Sequence, residues 1–238
     1  MSKHLKRIAA PRVVQLHRKE RKWTIKPSPG PHPLQQSIAL GLIVRDYLTL
    51  CDGYREGKHV ISNGDILVDG SKRTNHKYPC GLMDVISIPK LKKEYRIVFN
   101  QKGKLTVIPI SNTDAQWKLR RIENKTHVKG NKIQLNFHDG TNILVKKDEY
   151  NTGDVLQISF KDNKINDVFK YEKGTVSLVI GGSHIGEMAN IQEIDVVASS
   201  KPNVVKMKGS TEFFTLTHYI FPIGKTKPVI ALPEVTMK

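Results

Sequence analysis

The chain has 238 residues, with 39 Lys and Arg against 22 Asp and Glu, so its formal net charge at neutral pH is +17. Its longest apolar run, residues 38–44, is far shorter than the ~18–20 residues of a membrane span, which excludes an integral membrane protein. Cys51 and Cys80 are too few for a disulfide framework and lack zinc-site spacing. We expect a protein inside the cell with reduced cysteines and a polyanionic partner.

The basic excess is concentrated in residues 1–33, where nine Lys and Arg face one acid, Glu20. Prolines at 27, 29, 31 and 33 forbid a helix and favour extended polyproline II. A segment with this much charge and so few periodic apolar residues cannot compensate the entropy that it loses on folding. We therefore expect it to be disordered in the absence of a partner. Because ammonium groups track phosphates while Trp23 and guanidinium planes stack on unpaired bases, we interpret it as an RNA-binding arm. A nuclear-targeting or solubilising tail is the alternative.

The next part of the chain predicts two helices followed by a small sheet. Apolar residues at spacings of three to five predict a helix over 34–50, and a second short helix is predicted over 54–62, before Asn63-Gly64. A strand at 66–68, a turn at Asp69-Gly70 and a strand at 85–88 follow. Two interpretations of Lys90, Lys92 and Lys93 remain: they belong to a solvated face or linker, or they contact RNA.

Beyond residue 90 the pattern predicts a β-rich middle and a further β unit. Apolar runs predict the following strands: 96–99, 105–110, 132–137, 142–145 and 155–160. Asp139-Gly140 is a hairpin signal, and 151–154 is another turn. Residues 174–198 predict two strands, 175–180 and 191–197, separated by a glycine-rich loop. The last forty residues alternate short apolar runs with Gly and Pro.

Catalytic signatures are missing from the sequence. No zinc-binding histidine pattern, serine-nucleophile elbow or complete phosphate-binding loop occurs. Asp65, Asp69 and Asp84 lie within twenty residues, and we interpret them as turn and capping residues in preference to a metal or acid–base site. We therefore expect no enzyme activity, no catalytic residue, no metal or other cofactor and no small-molecule substrate.

Two strings resemble known RNA-binding modules. Residues 54–70, with Lys72-Arg73-Thr74 and Asp84-Val85-Ile86, resemble the S-four RNA-binding domain, and residues 174–191 resemble the KOW motif. Together with 3–11, 27–32, 73–86, 221–225 and 230–233, they resemble one family over the whole length, the small-subunit ribosomal protein family S-four-e of archaea and eukaryotes. The lack of a longer tail favours the archaeal version.

This resemblance implies an α+β, multidomain fold in five parts. They are a basic extended N-terminal arm (1–33), an S-four-type αα-β RNA-binding domain (34–91), a central β-barrel-like domain (92–170), a KOW motif forming a small SH3-like β-barrel (171–200) and a C-terminal segment packing on the β domains (201–238). It further implies a structural constituent of the small ribosomal subunit, located in the cytoplasm within the ribosome. The implied partners are small-subunit ribosomal RNA and neighbouring small-subunit ribosomal proteins.

The candidate RNA-binding residues are mostly cations. They comprise the arm set Lys3, His4, Lys6, Arg7, Arg12, Arg18, Lys19, Arg21, Lys22, Trp23 and Lys26, then Arg55, Lys58, Lys72 and Arg73, then Lys118, Arg120, Arg121 and Lys125 in the middle domain. The KOW loop would contribute Gly181, Gly182, Ser183, His184 and Gly186. Cys80, Leu82 and His184 depart from the family pattern. Because A-form RNA hides its major groove, we expect contacts to phosphates, 2′-hydroxyls and unpaired bases.

Two rival functions share these modules. A free-standing transcription or translation factor with S-four and KOW modules would appear only transiently on ribosomes. An RNA-modifying enzyme such as a pseudouridine synthase would need a catalytic aspartate in an Arg-Leu-Asp setting, which this chain lacks.

Overall fold

The computed structural model describes residues 4–130, 132–198, 201–209 and 211–232. The chain divides into two compact units. The first comprises Met1–Phe99 and Lys104–Lys118, and the second comprises Asn100–Gly103 and Leu119–Lys238. Strands dominate both units, helices are few, and the strands form several separate sheets. This agrees with the predicted multidomain α+β fold only at the level of several units that contain both helices and sheets.

The first unit contains nine complete strands and two short helices in its described part. The strands are β1 (Leu5–Lys6), β2 (Trp23–Thr24), β3 (Ile38–Ala39), β4 (Leu67–Val68), β5 (Ser71–Lys72), β6 (Pro79–Cys80), β7 (Val85–Ile88), β8 (Lys93–Phe99) and β9 (Leu105–Ile110). The helices are α1 (Leu40–Leu42), which continues as a π-helical turn over Ile43–Tyr47, and α2 (Tyr54–Ser62). Single 3-10 turns cover Arg7–Ala9, Leu34–Gln36, Pro89–Leu91 and Asp114–Gln116.

These strands form three antiparallel sheets. Strands β1 and β2 pair with each other, β3 pairs with β6, and the main sheet has the order β5-β4-β7-β8-β9. The main sheet and the helical stretch supply fully buried apolar side chains, among them Ile43, Ile61, Ile86 and Ile97. Asp69 and Gly70 both have positive φ between β4 and β5, so the predicted two-residue hairpin turn is confirmed.

Helix α2 is confirmed over the predicted residues. The Glu56 carboxylate accepts a hydrogen bond from the Gly53 N–H at 3.4 Å, which satisfies a donor at the start of the helix. Ile61 faces the core, and the chain leaves the helix through Gly64 at φ +77°, a left-handed conformation that favours glycine.

The predicted helix over 34–50 is wrong for most of its length. Ile38 and Ala39 pair as a strand with Cys80 and Pro79, and the Gly41 N–H donates to the carbonyl of His76 at 2.8 Å. These long-range pairings take the backbone donors that a continuous helix would use. The helical stretch is therefore limited to Leu40–Leu42 and Ile43–Tyr47.

The N-terminal segment is folded in the structure, in contrast to the expected free arm. Ala10 and Val14 are buried, His32 is buried, and the Leu105 N–H donates to the carbonyl of Val13 at 2.9 Å. The segment neutralises part of its own charge, as described below, and this lowers the cost of packing it. At the proline-rich end, Pro33 is extended, with φ −68° and ψ 153°.

The second unit is built from two five-stranded sheets. Its strands are β10 (Trp117–Val128, divided from the first unit after Lys118), β11 (Lys132–Phe137), β12 (Asn142–Val145), β13 (Val155–Ser159), β14 (Ile165–Phe169), β15 (Val176–Val179), β16 (Met188–Asp195), β17 (Val204–Lys208), β18 (Glu212–Leu216) and β19 (Ile220–Gly224), with a 3-10 turn over Thr217–Tyr219. The sheet orders are β12-β11-β10-β13-β14 and β18-β17-β16-β15-β19. Each sheet has its own apolar cluster, one around Leu135 and one around Met207.

Two of the predicted domain boundaries cut through sheets. Strands β8 and β9 complete the sheet of the S-four-like region, so the first unit extends to Lys118 rather than ending at residue 91. Strands β17 to β19 lie in the same sheet as β15 and β16, so these three strands complete the KOW-like β unit rather than packing on it as a separate segment. In both cases, backbone groups at the edge of a predicted domain form hydrogen bonds with strands that were predicted to belong to the next domain.

Candidate nucleic-acid interface

A cleft in the first unit brings aromatic rings and cations together. It has a volume of about 350 Å³ and is lined by His4, Arg21, Trp23, Thr24, Ile25, Lys26, Arg45, Tyr54 and Lys77. Four of these residues, His4, Arg21, Trp23 and Lys26, are sequence-predicted RNA-binding residues. Arg45, Tyr54 and Lys77 are not among them, because no spacing in the sequence connects them with the N-terminal segment. We name this the aromatic cleft.

Trp23 is the most exposed aromatic wall of the aromatic cleft. Strand β2 holds it in register opposite Lys6 of β1, and its side chain is 46% exposed. The His4 ring meets the indole edge to face at 4.8 Å, and the Lys22 ammonium lies 5.1 Å from the ring centroid. An exposed indole with cations around it is a platform on which a planar electron-rich ring can stack.

Tyr54 forms the second aromatic wall at the first residue of α2. Its side chain is 44% exposed, and its hydroxyl shares a hydrogen bond of 2.7 Å with His76 Nε2. Burial and the nearby charges of Lys77 and Lys58 lower the pKa of His76, so its imidazole is neutral at pH 7. The hydrogen bond therefore fixes the tyrosine ring without adding a charge.

Contacts of Ser28 and Ile25 attach the N-terminal segment to the loop at Lys77 and to α1. Ser28 donates from both its N–H and its hydroxyl to the carbonyl of Lys77, at 2.8 and 3.0 Å. The Ile25 side chain lies where a side chain on Gly41 would begin, because a Cβ there would be 3.0 Å from Ile25 Cδ1. These contacts bring Trp23 to the same cleft as Tyr54, although 31 positions separate them in the sequence.

The aromatic cleft is electrostatically one-sided. Among the described residues that line it are Arg21, Lys26, Arg45 and Lys77, and no carboxylate lines it, although Arg45 pairs with Asp46 and Arg21 Nε lies 3.8 Å from Glu20 Oε1. A larger cavity of about 690 Å³ in the same unit has mixed charges, because Glu20, Asp46 and Asp52 line it. The smaller cleft is thus the one whose walls favour an anion.

Two arm cations serve the fold instead of facing solvent. Arg7 is buried, pairs with Glu20 at 3.1 Å and donates to the carbonyl of His17 at 2.8 Å. Arg18 donates to four carbonyls of one loop at 2.7–3.2 Å, those of Arg7, Ile8, Ala10 and Pro11. Their guanidinium groups hold the segment together.

The basic residues predicted in β10 are also internal. Lys118 is 1% exposed and pairs with Asp84 at 2.5 Å and Asp69 at 2.9 Å. Buried Arg120 pairs with Asp139 at 3.0 Å. In the second unit, Arg121 pairs with Glu123 and donates to the carbonyls of His218 and Ile220 at 2.8 and 2.9 Å. Half-buried Lys125 contacts Asp148 and the carbonyl of Tyr150, each at 2.7 Å.

Asp84 is the centre of a buried ionic network that the turn-and-cap interpretation missed. Besides Lys118, it contacts His32 Nε2 at 2.9 Å and accepts from the Gly81 N–H at 2.8 Å. Burial favours the neutral acid, but Lys118 and His32 outweigh it and lower the pKa of Asp84. Burial raises the pKa of Asp69, although it accepts from the Val85 N–H as well as from Lys118. Neither carboxylate is free for metal or acid–base chemistry.

The remaining predicted cations are more accessible. Arg55 and Lys58, three positions apart on α2, are exposed, as is Lys72 on β5. Half-buried Arg73 lies over the Tyr78 ring at 4.6 Å. In the arm, His4, Lys6, Arg12, Lys19, Arg21, Lys22 and Trp23 are exposed and Lys26 is half-buried, while Lys3 lies outside the described residues.

The glycines of the KOW-like loop allow close approach within the chain itself. A Cβ at Gly181 would be 2.2 Å from the Tyr219 ring, and one at Gly186 would be 2.2 Å from the carbonyl oxygen of Asn100. His184 stacks on Phe213 at 4.0 Å and pairs with Glu187 at 3.2 Å. Gly182 and Ser183 are the exposed part of this loop.

Neither a metal centre nor a membrane helix is present in the described part of the chain. No group of three or more His, Cys, Asp or Glu there could hold a metal ion. Within 4–130, 132–198, 201–209 and 211–232, no helix has the length and apolarity to cross a bilayer.

Comparison with known proteins places the chain in a family. Small ribosomal subunit protein eS4 of Methanosphaera stadtmanae is 46% identical over 231 residues, covering 97% of this chain and 95% of the relative. The chain belongs to the S4e family. The eS4 protein of Archaeoglobus fulgidus is 45% identical over 233 residues, covering 96% of this chain and 97% of the relative. These relatives are archaeal, which confirms the predicted version of the family.

Family models and a solved structure agree with this assignment. The model described as ribosomal family S4e matches residues 91–165, and the RS4NT (NUC023) domain matches residues 1–35. The crystal structure of 30S ribosomal protein S4e from Thermoplasma acidophilum has a TM-score of 0.70 and 34% identity, covering 80% of this chain and 96% of that one. The family resemblance stated from the sequence is confirmed, and the fold is confirmed in its coarse form as a strand-rich, multidomain one.

Proposed function

We propose that this S4e protein is a structural constituent of the small ribosomal subunit in translation, bound to ribosomal RNA and to neighbouring ribosomal proteins within the cytoplasmic ribosome. The observation that carries the proposal is 46% identity to a small ribosomal subunit protein over 97% of the chain. Near-complete coverage of both chains argues against a module borrowed by an enzyme or a factor with a different architecture.

The accessible cations are the proposed phosphate contacts. They are Arg55 and Lys58 on α2, Lys72 on β5 and the exposed arm residues Lys6, Arg12, Lys19, Arg21 and Lys22. Neutralising phosphates releases counterions, so each contact adds salt-dependent affinity without reading sequence. In the KOW-like loop, Gly182 and Ser183 are the proposed contact points. Lys118, Arg120 and Arg121 are not among the proposed contacts, because they are buried and ion-paired inside the fold.

The salt dependence of RNA binding tests these contacts. In a variant that combines R55A, K58A and K72A, the slope of log affinity against log salt for small-subunit ribosomal RNA should shrink by about 0.7–0.9 for each phosphate that the variant no longer neutralises. The matched control is K147A, K161A and K164A, which removes three exposed lysines of the second unit. An equal change of slope in both triple variants would show that only net charge matters and would contradict the assigned contacts.

Sedimentation separates the ribosomal constituent from a transient factor. The chain should be retained on archaeal small subunits at one copy per particle after a moderate salt wash. Substoichiometric retention that disappears in the first wash would favour the free-standing factor.

A further inference from the structure

We propose that the aromatic cleft is a site for one unpaired nucleotide of an RNA strand, with the base stacked on Trp23 beside Tyr54 and its phosphate among Arg21, Lys26 and Lys77. The inference rests on the proposed RNA-binding function and adds the kind of RNA element that this surface takes. Simple phosphate tracking by a basic surface requires no such cleft.

The first argument is chemical. The cleft joins two aromatic side chains, each nearly half exposed, with a cationic wall that lacks any carboxylate among its described residues. A nucleotide is the ligand that needs both features, because its base offers a π-face and its phosphate a negative charge. An acidic peptide would use the cations but would leave the exposed indole without a planar partner. Inorganic phosphate would leave both rings unused.

The second argument is geometric. A base that is paired within an A-form helix keeps its faces covered by its neighbours, so only an unstacked base can lie against Trp23. The cleft of about 350 Å³ lies at the small end of the range of about 300–1,000 Å³ found for ligand pockets, which fits one nucleotide better than a helix.

The third argument is preorganisation. His4 packs on the indole at an angle of 80°, and His76 fixes the tyrosine hydroxyl at 2.7 Å. Ser28 attaches the N-terminal segment to Lys77 by two hydrogen bonds. Rings that are held in place before binding lose less conformational entropy on binding than mobile ones.

The test compares single-stranded with duplex RNA in the full-length chain. Fluorescein-labelled single-stranded hexanucleotides and a blunt duplex of equal charge are titrated by anisotropy. W23A should weaken single-strand binding about tenfold or more, since removing a stacking residue costs roughly 5- to 150-fold in affinity, and should leave duplex binding within about twofold. W23F should restore most of the affinity. F214A, which removes an exposed aromatic ring on β18, is the matched control and should change neither affinity.

The outcomes are distinguishable. If the wild type binds both RNAs and W23A weakens neither, the nucleotide site is overturned while the proposed RNA-binding function stands. Equal weakening of both RNAs by W23A would also overturn the site, as would competition by poly-glutamate as strong as that by a single strand. If the wild type binds no RNA at all, the proposed function itself fails. Unchanged circular dichroism, together with an unchanged unfolding midpoint followed by Trp117 emission, confirms that W23A is folded.

Discussion

Substituting Asp84 by Asn tests whether the buried network holds the first unit together. The substitution keeps the shape of the side chain but removes the negative charge that Lys118 contacts at 2.5 Å, with both side chains 1% exposed. Removing one partner of a buried ion pair costs about 3–5 kcal/mol, because the other charge stays buried. Lys118 keeps Asp69 at 2.9 Å, so we expect the low end, about 3 kcal/mol.

The matched control is D65N. Asp65 contacts the ammonium of Lys90 at 2.7 Å, a distance close to that of the buried pair, but Lys90 is 70% exposed. Water screens such a pair, so its removal should cost about 1 kcal/mol or less. The two variants make the same chemical change to an Asp–Lys pair, one buried and one exposed, and D84N also changes the contacts of Asp84 with His32 and the Gly81 N–H.

Urea unfolding followed by tryptophan fluorescence is the assay. Both tryptophans, Trp23 and Trp117, belong to the first unit, so the signal reports on that unit. With a urea dependence of about 1.5 kcal/mol per M, a decrease of 3 kcal/mol lowers the midpoint by about 2 M. A midpoint for D84N no lower than that for D65N would refute the assignment of Asp84 as the centre of a stabilising network.

Three further predictions follow from the same region. The pKa of Asp84 is lower in the folded than in the unfolded protein, so its charge stabilises the fold above the unfolded pKa of about 3.9. This contribution is lost as the pH falls below that value. The difference in unfolding free energy between wild type and D84N should therefore shrink between pH 5 and pH 3. A Cβ at Gly81 would be 2.4 Å from the His32 ring, so G81A should destabilise the unit by about 1–3 kcal/mol in urea unfolding, unlike G53A, whose Cβ would meet nothing nearer than 3.9 Å. Half-buried Cys51, whose pKa burial also raises, should react slowly with a thiol reagent in the native protein, whereas fully buried Cys80 should react only after unfolding; two fast native thiols would contradict this difference in burial.

Local pattern was sufficient wherever an element is defined by its own residues. Strand β11 follows the predicted bounds because its apolar residues alternate with polar ones, so that Ile133, Leu135 and Phe137 face the core. Helix α2 lies between two turn signals that act within a few residues. In the C-terminal part, Pro222 lies in β19, an edge strand of its sheet, where a residue without a backbone N–H is tolerated.

Pattern failed where the deciding contact is distant in sequence. Strand β10 was missed because Lys118 and Arg120 interrupt its apolar residues and were expected at the surface. Their carboxylate partners, Asp84 and Asp139, lie 34 and 19 positions away. A charge buried with a partner looks the same in a sequence as a charge in water, so charge alone predicts a surface location that the fold overrides.

The same reasoning changes what the +17 charge says about RNA. A count of cations overstates the proposed binding surface, because Arg7, Arg18 and Lys118 donate their hydrogen bonds to carbonyls and carboxylates of the chain. It also leaves out Tyr54, a residue without charge that lines the aromatic cleft proposed as a nucleotide site. The packing of the N-terminal segment determines which of its cations are accessible to a partner. The contacts that pack it, Ser28 with Lys77 and His32 with Asp84, join residues about fifty positions apart.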